Sequence, residues 1–124
     1  MKITTFNPLI LTKDSEATLK LYEALGFEKR HTITINENGK DITNYRMKNE
    51  GGFAVDIAQV DGIPQDMTII RMNVDDFDEA YEFLKSKGFT NPKGDETVDT
   101  RTNKSCMMRS PSGFAFDLCQ HIKD

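Results

Sequence analysis

Two aspartates set among small residues are the side chains best placed to do chemistry in this chain. Asp56 lies in Gly52-Phe53-Ala54-Val55-Asp56-Ile57-Ala58-Gln59, and Asp117 lies in Gly113-Phe114-Ala115-Phe116-Asp117-Leu118-Cys119-Gln120. Side chains alternate between the faces of a strand. Phe53, Val55 and Ile57 therefore share one face, and Ala54, Asp56 and Ala58 the other. In the second phrase Phe114, Phe116 and Leu118 oppose Ala115, Asp117 and Cys119. The bulky triplets suit a covering helix, while small–acid–small leaves room for a ligand, a metal or water. Each carboxylate has two readings: a group that meets a ligand, or one that bonds a neighbouring strand or an arginine.

A third charge belongs with them. In Thr68–Val74 the residues Ile70, Met72 and Val74 make an apolar face, which leaves Ile69, Arg71 and Asn73 on the other. Arg71 can neutralise one of the acids, lowering the cost of burying it. It can equally hold an anionic ligand with its bidentate fork. Other candidates are weaker. His31 sits in an alternating polar–apolar strand and His121 close to the last residue, so both read as solvated side chains. No serine has a nucleophile-elbow context, and no glycine-rich loop has phosphate-cradle spacing. Cys106 and Cys119 have neither metal-knuckle nor disulfide-framework spacing, and Cys119 beside Asp117 reads as small packing.

The two phrases lie half a chain length apart, and what precedes them is also duplicated. Asp14 stands ahead of Gly26-Phe27 by the same interval as Asp76 ahead of Gly88-Phe89. Each half starts with an apolar strand, Ile3–Thr12 or Thr68–Val74. An N-cap follows at Asp14-Ser15 or Asp75-Asp76. The first helix is expected to bury Leu21 and Leu25 with Ala17, Thr18 and Tyr22. The second is expected to bury Ala80, Tyr81, Phe83 and Leu84. Gly26 and Gly88 end the helices. Three strands follow in each half. The first set is Phe27–Asn36, a hairpin turn at Asn38-Gly39, Asp41–Lys48, a turn at Asn49–Gly51 and Phe53–Val60. The second is Glu96–Thr100, a turn at Arg101–Asn103, Lys104–Arg109, a turn at Ser110–Gly113 and Phe114–His121. The order is βαβββ, a linker at residues 61–66, then βαβββ, with units of about 1–60 and 67–121 in one domain. The fold class is α+β.

With 124 residues, 37% hydrophobic and 29% charged, the chain can bury a core without staples. Its apolar stretches are too short to span a membrane as a helix. A net charge of −4 argues against a phosphate-held nucleic-acid binder. The N-terminus shows no secretory pattern, so free thiols and a cytoplasmic location are expected.

Several stretches together resemble the vicinal oxygen chelate superfamily, which includes glyoxalase I, extradiol dioxygenases, and bleomycin and fosfomycin resistance proteins. They are Thr12-Lys13-Asp14, Leu25-Gly26-Phe27, Asn73-Val74-Asp75-Asp76 and Ser110-Pro111-Ser112-Gly113-Phe114-Ala115-Phe116-Asp117-Leu118. The resemblance implies cupped mixed sheets around a cavity between the repeats, helices on the outside, and a homodimer. It also implies that metal ligands, where relatives have them, come from the first and fourth strands of each unit. Those positions here are Asn7 and Asp56, then Ile69 (or Thr68) and Asp117. No histidine matches, Ile69 has no donor, and aspartate is shorter than the usual glutamate. Two carboxylates and an amide suit a hard cation such as Mg²⁺ better than Zn²⁺ or Fe²⁺. The expectation is a metal-free, small-molecule-binding protein of bleomycin-resistance type, using Asn7, Asp56, Arg71 and Asp117. The alternative is a glyoxalase-type lyase or isomerase using a divalent cation.

Overall fold

A computed structural model of the chain describes residues 1–37, 39–99 and 102–121. Among these residues ten elements follow the expected order. They are β1 (Ile3–Thr12), α1 (Ser15–Ala24), β2 (Glu28–Glu37), β3 (Lys40–Lys48), β4 (Ala54–Gln59), β5 (Met67–Val74), α2 (Phe77–Ser86), β6 (Val98–Asp99), β7 (Asn103–Arg109) and β8 (Ala115–His121). The chain is α+β, built as βαβββ twice. Asn38, Thr100 and Arg101, used above for a hairpin turn, a strand end and a turn, lie outside the described residues.

The chain divides into two compact units, Asn7–Thr68 and Met1–Phe6 with the chain from Ile69 onward. In the first, the strands run in the order β2-β3-β4-β1. β1 and β4 are parallel, with Leu9 beside Asp56, and β3 and β4 are antiparallel, with Arg46 beside Asp56. In the second, the order is β5-β8-β7-β6. There β5 and β8 are parallel, with Arg71 beside Asp117, and β7 and β8 are antiparallel, with Met107 beside Asp117.

Both helices start as their sequences dictate. Asp14 Oδ1 accepts from Ala17 N–H at 3.0 Å and Asp76 Oδ1 from Glu79 N–H at 3.1 Å. Each cap satisfies a helix-end donor and stabilises its helix by about 1 kcal/mol. The glutamine that closes each repeated phrase supplies a second tie. Gln59 Oε1 accepts from Ser15 N–H at 2.7 Å, and its amide donates to Lys13 C=O. Gln120 Oε1 accepts from Phe77 N–H at 2.7 Å, and its Nε2 donates to Asp75 C=O at 3.0 Å. Ser15 and Phe77 are the first helical residues, whose N–H groups have no partner inside the helix. Gly26 and Gly88 follow the helices at φ 100° and 91°. A Cβ on Gly88 would also lie 2.9 Å from Pro111 Cγ, so two constraints hold that glycine.

Each helix covers one face of its own sheet. In the first unit Leu19 packs with Met47, Val55 and Ile57, and Tyr22 closes the edge against Phe27. In the second, Phe77, Ala80 and Leu84 pack on Met72, Val74, Cys106, Met108 and Leu118. The stripe expected on α1 is corrected here. Leu19 is 7% exposed, whereas Leu21 is 57% exposed and Leu25 is exposed as well. Ser15, Leu19 and Tyr22 share one side at the four- and three-residue steps, and Leu21 points the other way. On α2, Phe83 is likewise exposed and Phe77 takes its place in the core. Phe53, expected on the helix face of β4, is 69% exposed. It belongs to the turn, where its C=O accepts from Asn49 N–H, as Phe114 C=O does from Ser110 N–H.

Candidate functional site

The opposite faces of the two sheets, bare of helix, carry the residues singled out by the sequence. Asp56 is 4% exposed, and its carboxylate is gripped from both sides. Arg46 Nε donates to Oδ1 at 2.9 Å and Nη2 donates to Oδ2 at 3.3 Å. From β1, Asn7 Nδ2 donates to Oδ2 at 3.2 Å and to Pro8 C=O at 2.9 Å. A fork of charge-assisted bonds is the strong way to satisfy a buried carboxylate.

These contacts fix the Asn7 amide. Turned over, it would set Oδ1 against the Asp56 carboxylate, so the donor end must face the acid. Oδ1 is thereby left buried with no hydrogen-bond partner among the described residues. A buried acceptor without a donor costs about 1–3 kcal/mol. The Arg46 side chain is 39% exposed. Asp56 aims its guanidinium through Nε and Nη2, and Nη1 remains for another acceptor. An oriented guanidinium and an amide oxygen lacking a donor thus stand on either side of one neutralised carboxylate.

The second unit repeats the placement with different neighbours. Arg71 and Asp117 are register partners on β5 and β8, flanked by buried Ala115 and Cys119. Cys119 is buried, and its Sγ lies 3.6 Å from Asp117 C=O. Ile69, at the position matching a first-strand ligand, is buried and offers no donor. On the other face of this sheet, burial first and the Asp117 charge second push the Cys106 thiol up to about 11, with Lys104 opposing them. His31 and His121 are exposed.

The sequence reading missed Arg46. Arg46 reaches Asp56 from the neighbouring strand of its own hairpin. The signal was present: the turn at Asn49–Gly52 pairs Lys48 with Ala54, and two residues further Arg46 with Asp56. With both carboxylate oxygens held by a cation and an amide N–H, the donors at Asn7 and Asp56 do not fit a divalent metal. Among the described residues no group of three or more His, Cys, Asp or Glu side chains is arranged to hold one.

The sequence model of the Glyoxalase/Bleomycin resistance protein/Dioxygenase superfamily matches residues 3–118. The chain belongs to this superfamily. No curated protein matches it in sequence. Among solved structures, a superfamily member from Vibrio splendidus 12B01 is similar, at 16% identity and TM-score 0.63, covering 98% of this chain and 100% of that one. Methylmalonyl-CoA epimerase from Streptomyces coelicolor, solved with 2-nitronate-propionyl-CoA, aligns at 18% identity and TM-score 0.66, covering 98% and 100%. Glyoxalase I from Zea mays aligns at 12% identity and TM-score 0.69, covering 98% of this chain and 44% of that one. At such identities the likeness is one of fold. Glyoxalase-superfamily architecture is thus established here, and the chemistry rests on this chain's own residues.

Proposed function

We propose that this superfamily member binds a small organic molecule on the helix-free sheet face of the Asn7–Thr68 unit and does so without a catalytic metal. The observation that carries the reading is the Asn7–Asp56–Arg46 cluster. It presents one fixed acceptor, Asn7 Oδ1, and one oriented cation, Arg46. A ligand that fits carries an N–H or O–H donor for the amide oxygen and a carboxylate or carbonyl oxygen for the guanidinium. Asp56 acts as the positioning residue, because its charge is spent on Arg46. Arg71 and Asp117 serve the corresponding face of the other unit. A cytoplasmic homodimer completes the proposal.

Small 2-hydroxy and 2-amino carboxylates are suitable probes, screened by thermal stabilisation. Binding is expected to fall in Arg46→Met and Asn7→Leu, while protein purified without chelators carries no stoichiometric metal. One tightly held equivalent of a divalent cation, lost in Asp56→Asn, would overturn this reading in favour of a glyoxalase-type lyase or isomerase.

A further inference from the structure

A cavity of about 240 Å³ opens at the β7 edge of the second unit, between that strand and the loop from Asn91 to Val98. It shares no residue with the Asn7–Asp56–Arg46 cluster. The wall opposite β7 is braced from within. Asn91 Nδ2 donates to Glu96 C=O at 2.8 Å, and Asn91 Oδ1 accepts from Lys93 N–H at 2.9 Å. Tyr81 O–H reaches Asp95 Oδ1 at 2.8 Å, and Lys85 lies 3.6 Å from the same oxygen. The loop is thus held in its own shape, away from the strand.

The gap in the sheet has a defined register. Thr90 and Arg109 exchange both backbone hydrogen bonds, at 2.9 and 2.8 Å. Val98 pairs with Ser105. Met107 lies midway, and among the described residues no strand residue is paired with it on this edge. Backbone groups in an antiparallel ladder alternate sides with a period of two. Since Arg109 faces the edge, the N–H and C=O of Met107 face it too, and Met107 lines the cavity. Around this donor–acceptor pair the wall is largely apolar, from Pro92, Val98, Cys106 and Met107 itself. Lys93 and Glu96 contribute charges of opposite sign, so the lining favours neither an anion nor a cation.

We propose that this cavity binds a small, neutral, planar ring carrying adjacent N–H and C=O groups, the edge of a lactam or a pyrimidinone. The ring exchanges two hydrogen bonds with Met107, as Thr90 does with Arg109. Its size follows from the volume, which lies below the roughly 300–1,000 Å³ of sites for larger ligands.

The test uses ¹⁵N-labelled full chain titrated with 2-pyridone, with N-methyl-2-pyridone as a partner of similar shape that lacks the donor. The expected result is a saturable shift of the Met107 amide with 2-pyridone. Binding of the N-methyl compound is expected to be weaker by about tenfold or more, the loss of one well-made hydrogen bond. Val98→Trp, introduced at an exposed position on the cavity wall, is expected to abolish the shift while leaving distant amides in place. If that variant fails to fold, the comparison of the two probes stands alone. Equal binding of both probes, or no movement at Met107 up to the solubility limit, overturns the proposal.

Discussion

Arg46→Leu should be the most informative single substitution, because it removes the guanidinium that donates to both oxygens of a buried carboxylate. Asp56 would keep the Asn7 bond but lose both contacts to the guanidinium, at 2.9 and 3.3 Å. Removing one partner of a fully buried pair costs about 3–5 kcal/mol. Arg46 is 39% exposed, so water reaches that side and the expected cost drops to about 2–3 kcal/mol. At about 4 °C per kcal/mol for a chain of this size, the melting temperature should fall by about 8–12 °C. The assay is a double-mutant cycle with Asp56→Asn, read by denaturant unfolding. Neutralising the acid removes the charge that Arg46 pairs with, so the double variant should recover about 1–2 kcal/mol relative to the sum of the single costs. Additive costs, to within about 0.3 kcal/mol, would show that the two side chains do not act together. The account of the site would then fail at its base.

Three further outcomes follow from the helix starts and the buried thiol. Gln120→Leu removes the acceptor for Phe77 N–H and the donor to Asp75 C=O, and should cost about 1–3 kcal/mol by chemical denaturation. Gln59→Leu should cost a similar amount, and a variant within about 0.3 kcal/mol of the parent would remove the glutamines from the stability argument. Cys106, whose thiol is raised from 9.0 to about 11, stays protonated in the folded chain after the unfolded chain has begun to ionise. Its contribution is therefore complete below pH 9 and lost as pH rises towards 11. Cys106→Ala should flatten this part of the stability profile, which unfolding midpoints between these pH values would measure.

Most of the architecture was legible because local signals agreed with one another. Asp14 and Asp76 cap the helices and Gly26 and Gly88 end them. The repeated phrase marks the last strand of each unit. What escaped the reading depends on register or on choosing between neighbouring faces. Leu19 and Leu21 are equally apolar, and only the sheet beneath decides which is buried. Phe53 and Phe114 look like strand residues, but turn bonds take their carbonyls. Arg46 meets Asp56 only once the hairpin register is counted. The orphaned Asn7 Oδ1 is a matter of amide orientation, which no sequence pattern encodes. The duplication placed both acids on the helix-free faces, yet only the pairing of β3 with β4 brings Arg46 beside Asp56.

The glutamine ties also bear on how each unit assembles. Gln59 and Gln120 lie near the ends of β4 and β8, far along the chain from the helix starts they hold. Each helix therefore receives its final N-terminal partner only when the last strand of its unit has docked. Helix start and closing strand should then open together, not fray separately. The Ser15 and Phe77 amides would exchange with solvent at rates set by the loss of the closing strand. A nascent chain that stops short of Gln120 would carry α2 with its first turn unsecured.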